Sequence, residues 1–196
     1  MAIKLVRKQQ GIALIEVMIS ALIGIIAIGI IGSVFLTGQR IAKERSLELL
    51  VLQSLMSTSS MMRADIQRAG FDGGSGNSLT LQGSTSTVAV SGASMGFVYY
   101  LPDINKYQNI KYKLSEGQLY SCERKDTAIA SLNNLTGCAN LLDQNIINVV
   151  SMAISTTPLV TSSATNLLTH VYLEAELHDG SYNQSVSMAI KQRNWL

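Results

Sequence analysis

Apolar positions fall into two regimes along this chain. From Gln9 to Gln39 they run almost unbroken, and Glu16 is the only charge in that stretch. Residues 17–39 alone supply about 23 uncharged positions, enough to cross a bilayer as a helix. Arg40, Lys43, Glu44, Arg45 and Glu48 then mark emergence into water. Beyond them Leu52, Leu55/Met56, Met62, Ile66 and Ala69 recur at helical spacing, a stripe that needs a sheet or a second helix to cover it. Residues 57–60 form a weak patch of polar, poor helix formers. Gly70 is the glycine expected just past a helix C-terminus. A helix from Ile12 to Ala69 would measure about 85 Å at 1.5 Å per residue.

After a flexible connector at 72–78, rich in Gly and Ser, the period changes to two. Segments 79–81, 85–90 and 95–101 read as strands between Gly and Ser breaks. Ile110, Tyr112 and Leu114 alternate with Lys111 and Lys113, and Glu116-Gly117 turns that strand back into 118–121 as a hairpin. Segments 146–154, 169–177 and 182–191 form a later set. The last two are joined through His178-Asp179-Gly180-Ser181, where Asp-Gly suits a turn with positive φ. One long helix followed by antiparallel strands is an α+β pattern.

Length and charge limit what the rest can be. The chain has 196 residues, 14% charged, with a formal net charge of +2. With one span set aside, about 155 residues remain, enough for one domain. No basic field argues for a nucleic-acid surface, so nucleic acid is disfavoured as a partner.

Lys4, Arg7 and Lys8 precede the apolar run and no acid does, an arrangement that targets a chain to the membrane with its basic side in the cytoplasm. The apolar core is too long for an ordinary signal peptide. A carboxylate at the depth of Glu16 costs roughly 2.5–3.5 kcal/mol on insertion scales, which makes it a functional candidate whose partner must be named.

The string Gln10-Gly11-Ile12-Ala13-Leu14-Ile15-Glu16-Val17 resembles the processing site of type IV prepilins, including the pseudopilins of type II secretion. The resemblance implies a type IV pilin-like fold. It implies cleavage by prepilin peptidase after Gly11 and N-methylation of the new terminus at Ile12. It also implies that Glu16 pairs with the freed amine of a neighbouring subunit. The pair would act as a register device between packed helices more than as a source of net stability. Two positions depart from the family pattern, which usually starts its mature chain with Phe followed by Thr or Ser, where this chain has Ile12 and Ala13. Cutting after Gly11 would remove three bases and leave 12 against 13 acids. Ser20, Gly24, Gly29, Gly32, Ser33 and Gly38 stud the same helix, and Ser20-xxx-Gly24 and Gly29-xxx-Ser33 have the spacing that lets helices approach closely in lipid.

A second resemblance lies at the helix end. Arg63-Ala64-Asp65-Ile66-Gln67-Arg68-Ala69-Gly70-Phe71 is similar to the matching string of PilW-like minor pilins and the related J-type pseudopilins, and Arg193-Asn194 after the final strand extends the likeness. Asp65 and Arg68 can pair at i,i+3, and Phe71 can tuck under the helix end, so Asp65, Arg68, Gly70 and Phe71 are expected to fix helix to head. The expected organisation is a leader at 1–11, a membrane or filament-core half at 12–39, a packed half at 40–71 and a head at 72–196. An exported head in an oxidising compartment should join Cys122 and Cys138 as a disulfide, closing a polar loop.

Candidate chemistry is sparse. His170, Glu174, Glu176 and His178 share one strand face, which fits the solvated face of an edge strand better than a metal site. No Walker, Rossmann or nucleophile-elbow string occurs. The chain is therefore expected to be no enzyme and to hold no cofactor or metal. The expected role is a minor pilin that helps start or cap a type IV pilus. Its partners would be other minor pilins, the major pilin, prepilin peptidase and the inner-membrane assembly platform. It would sit in the bacterial inner membrane before assembly and at the cell surface afterwards. The alternatives are a type II secretion pseudopilin, or a tip adhesin or DNA-uptake pilin.

Overall fold

The computed structural model describes residues 10–160 and 165–192. The bases Lys4, Arg7 and Lys8 and the final 193–196 segment lie outside the described residues. The chain divides into two compact units between Ser46 and Leu47. One helix, α1 (Gln10–Arg68), contributes to both. It holds no proline, and it runs through the weak 57–60 patch without a break.

Among the described residues of the second unit the helix is followed by eight strands: β1 (Ala89–Ser91), β2 (Ser94–Leu101), β3 (Lys106–Ser115), β4 (Gln118–Asp126), β5 (Cys138–Asn140), β6 (Ile147–Val160), β7 (Thr165–Leu177) and β8 (Gln184–Lys191). They form a five-stranded sheet in the order β1-β2-β3-β4-β5 and a three-stranded sheet in the order β6-β7-β8. Every paired neighbour is antiparallel.

The inner faces of both sheets share one core with the helix. Val51, Leu55, Met62, Ile66 and Ala69 meet Phe97, Ile110, Tyr112 and Leu119 of the larger sheet and Val171, Leu173, Met188 and Ile190 of the smaller. The helix stripe is rotated slightly from the expected one. Val51 is buried, Leu52 is half-buried and Met56 is exposed, while Thr58 and Ser59 enter the core. Small hydroxyl side chains at 58 and 59 leave room for the sheets to approach, which explains why a stretch poor in helix formers is still helix: packing outweighs intrinsic propensity.

The sheets are stitched at one turn. Glu116 and Gly117 both take positive φ, the geometry of a two-residue hairpin, and the Gly117 carbonyl accepts from Val149 N–H of β6 at 2.8 Å.

Several strand expectations need correction. Residues 79–81 and 85–88 pair with no strand, although Leu81 and Val88 are buried, so only the end of the expected 85–90 strand joins the sheet as β1. β5 was not expected, because three residues carry no readable period. The 178–183 connection is longer than a two-residue Asp-Gly turn. Gly180 takes φ +80° but Asp179 does not, and the other left-handed residue is Tyr182. β7, expected at an edge, is the central strand of its sheet.

Candidate functional site

Among the described residues nothing covers the apolar surface of the first unit. Every large apolar side chain from Leu14 to Leu36 is more than half exposed, Ile25 and Ile28 by 71% and 72%. The helix is long and apolar enough to cross a membrane, and such a surface requires lipid or other helices around it. The backbone is self-sufficient, as that environment demands. Ser33 Oγ donates to the Ile30 carbonyl at 2.8 Å, and Thr37 Oγ1 donates to that of Ser33 at 2.9 Å. A Cβ added at Gly24, Gly29, Gly32 or Gly38 would meet nothing within 4 Å; these glycines are not needed for the packing of the isolated chain. Glu16 is exposed on this helix, and the backbone of Gly11 and Ile12 lies in its first turn.

The helix-to-head junction is built mainly from backbone. Gly70 stands at φ +81°, and a Cβ there would lie 2.5 Å from Thr87 Cγ2. Its N–H donates to the Val98 carbonyl at 2.8 Å, its carbonyl accepts from Leu79 N–H, and the Phe71 carbonyl accepts from Tyr100 N–H at 2.7 Å. The chain leaving the helix thus extends along β2 beyond the point where β1 stops. Phe71 is not fully tucked under the helix: its side chain stays 36% exposed, while its backbone carbonyl is held to β2.

Asp65 accepts from the Tyr112 hydroxyl at 2.6 Å, and the Arg68 guanidinium lies 6.0 Å from the centre of the Tyr99 ring. Burial, reinforced by the adjacent Asp65 carboxylate, pushes the Tyr112 phenol far above its usual range. Burial also raises that of Tyr99, against the opposing effect of Arg68. Tyr112 is the junction residue that motif reading missed. Its place in the inward-facing alternation with Ile110 and Leu114 could have found it, since a buried tyrosine hydroxyl needs a partner.

The 72–78 connector is more ordered than its composition suggested. The Asp72 carboxylate accepts from the N–H groups of Asn77, Gly74 and Ser75, and these, led by Asn77, hold its carboxyl below the usual range.

On the other face of the larger sheet, Cys122 and Cys138 stand opposite each other on β4 and β5 and are joined by a disulfide. Ala130 and Leu135 pack over Cys122. Asn109 fastens the same loop, its Oδ1 accepting from Ala130 N–H at 2.8 Å and its Nδ2 donating to the Ala128 carbonyl.

Nothing described offers catalytic geometry. Among the described residues no group of three or more His, Cys, Asp or Glu could hold a metal ion. Glu174 is engaged by Ser151 and Tyr172, and Glu176 by Asn148. A cleft of about 650 Å³ beside β1, lined by Ser84, Ser91, Ser131 and Thr156 among others, contains no charged side chain.

One long N-terminal helix carrying antiparallel sheets is the type IV pilin-like fold. A type IV-like pilin from Thermus thermophilus matches it with a TM-score of 0.51 at 10% identity, covering 74% of this chain and 98% of that chain. Residues 45–192 match the model of the family described as prepilin peptidase-dependent protein B, and the chain belongs to that family. No curated protein matches the sequence.

Proposed function

We propose that the chain is a minor pilin of the PilW-like kind, anchored in the inner membrane by its N-terminal helix, trimmed after Gly11, and used to start or cap a type IV pilus. The observation that carries this reading is the exposed apolar helix, interrupted by Glu16 alone, joined to a head of the prepilin peptidase-dependent family. An apolar surface that complete is stable only in lipid or among like helices. A carboxylate within it is tolerated when a cation meets it, and the amine created at Ile12 of a neighbour is such a cation. Partners under this reading are prepilin peptidase, the assembly platform, the major pilin and other minor pilins.

N-terminal mass analysis of the assembled protein tests the proposal. A chain beginning at Ile12, methylated or not, is expected, and Met1 retained in assembled fibres would refute it. Gly11→Ala should leave an uncut precursor. Glu16→Ala should be processed yet assemble poorly, and normal piliation would remove the pairing role. The string at 63–71 favours a second reading, a J-type pseudopilin of type II secretion. Deleting the gene separates them: lost pili supports the first, lost secretion with normal pili the second.

A further inference from the structure

Strand edges are where a sheet accepts another chain, and proteins blunt them with short strands, bulges, prolines or charges. Three of the four edges in this head are blunted. β1 and β5 are three residues each. β6 has its outer edge occupied at Val149 by Gly117, is bulged between Val149 and Ser151, and carries Pro158. β8 carries only one of these devices, a charge at its last residue, Lys191. It runs eight residues in one unbroken register with β7, without proline and without charge before Lys191.

The ladder reveals which backbone groups of β8 face outward. Hydrogen-bonded and non-hydrogen-bonded positions alternate in an antiparallel pair. Gln192 N–H donates to the Leu167 carbonyl, and in the observed register this phase turns Gln184, Val186, Met188 and Ile190 toward β7. The N–H and C=O groups of Ser185, Ser187 and Ala189 therefore point away from the sheet. Among the described residues no strand pairs with that edge, and the three side chains lie on the exposed face. The same phase puts the missing N–H of Pro158, opposite Leu167, on the outer edge of β6.

We propose that β8 is a docking edge that takes one extended segment of another protein in the assembly as a fourth strand. This rests on the reading of the chain as a membrane-anchored filament subunit. The incoming segment is uncharged over its paired positions, matching a strand that offers no charge from Gln184 to Ile190 and only Ser185, Ser187 and Ala189 on its exposed face. Neither antiparallel β8–β8 pairing nor β8–β6 pairing accommodates a second copy. Antiparallel β8–β8 pairing needs a two-fold axis perpendicular to the sheet, which reverses every direction in the sheet plane, including that of helix residues 51–69 packed along it. Two chains anchored by their N-terminal helices in one membrane run the same way. Pairing β8 with β6 of another copy meets Pro158, the bulge and the occupied Val149.

Residue-resolved amide exchange on the full chain, free in detergent and in sheared filaments, tests this. Strand addition should slow exchange at Ser185, Ser187 and Ala189 by about tenfold or more on assembly, with the inward positions between them protected in both states. Incorporated chain with those three amides unchanged would overturn the proposal and leave the filament reading standing. Absence of the chain from filaments would overturn both. The same protection in a dimer of the purified chain would make a second copy the occupant and overturn the partner assignment. Ser187→Pro removes one outward donor and no ladder bond. It is expected to keep the parent unfolding transition and to reduce filament incorporation about tenfold or more; normal incorporation counts against the edge. If that variant does not fold, Ser187→Lys with Ala189→Lys blunts the edge without touching the backbone, with the same expectation.

Discussion

Removing the Tyr112 hydroxyl tests how the helix end is held. Tyr112 is fully buried, and its hydroxyl donates to Asp65 at 2.6 Å across 47 positions of sequence. Phenylalanine at 112 would keep the ring against Phe97 and delete only the donor. A hydrogen bond to a charged group is worth about 1.5–3 kcal/mol. Asp65 is half-buried, so water takes over part of the carboxylate and the lower half of that range applies. In a unit of this size each kcal/mol moves the melting point by about 2–4 °C, so Tyr112→Phe should melt about 3–9 °C lower. A cycle with Asp65→Ala should return a coupling of about 1–2 kcal/mol.

A pH scan adds an independent readout. The folded phenol is held above its ordinary value of 10, so its contribution is intact below about pH 10. Above that it is lost, because the unfolded chain ionises while the folded one does not, at up to about 1.4 kcal/mol per pH unit. Tyr112→Phe should flatten this alkaline limb, leaving the share due to Tyr99. Melting within about 1 °C of the parent, or a cycle without coupling, would refute the account of the junction.

Two further outcomes are expected. Replacing Cys122 and Cys138 together by Ser opens a loop with a sequence separation of 16, worth about 3 kcal/mol in the chain-entropy model, and should lower the melting point by about 6–12 °C; a reduced parent that melts unchanged would contradict this. Gly70→Ala combines a left-handed φ of +81° with a Cβ placed 2.5 Å from Thr87 Cγ2 and should cost about 2 kcal/mol or more. Adding Thr87→Ser, which deletes that methyl group, should recover part of the loss in the same melting assay, and no recovery would mean that the backbone strain alone sets the cost.

What could be read from the residues alone follows from how local each signal is. The helix was legible because a long apolar run without proline passes directly into a stripe at helical spacing, and the β3–β4 hairpin because Glu116-Gly117 matches its turn. The shift from Leu52 and Met56 to Val51 was not legible. Which side of a wide stripe faces inward is decided by the two sheets, and the small side chains at 58 and 59 matter only once those sheets are in place. β7 was misread as an edge for a related reason. Its outward face carries His170, Glu174 and Glu176, with His178 just past its end, and alternation reports faces only. Whether a strand has one neighbour or two leaves no mark on the period.

The junction residues divide along the same line. Gly70 was legible because a single residue both ends a helix and takes positive φ. Burial of Phe71 was expected because an aromatic ring after a helix suggests it, whereas here the backbone does the joining and the side chain stays partly exposed. Tyr112 lies 47 positions from Asp65, so no short motif contains both. The exposed apolar half of the helix carries the reverse limitation. Its exposure in the isolated chain follows directly from composition, since nothing else in the sequence is long and apolar enough to cover residues 14–36. What covers them is a property of neighbours, and under the proposed pairing with a neighbour's amine Glu16 would make that property specific. Hydrophobic contacts between like helices can slide by a turn at little cost, whereas a carboxylate that must meet one amine permits a single axial offset.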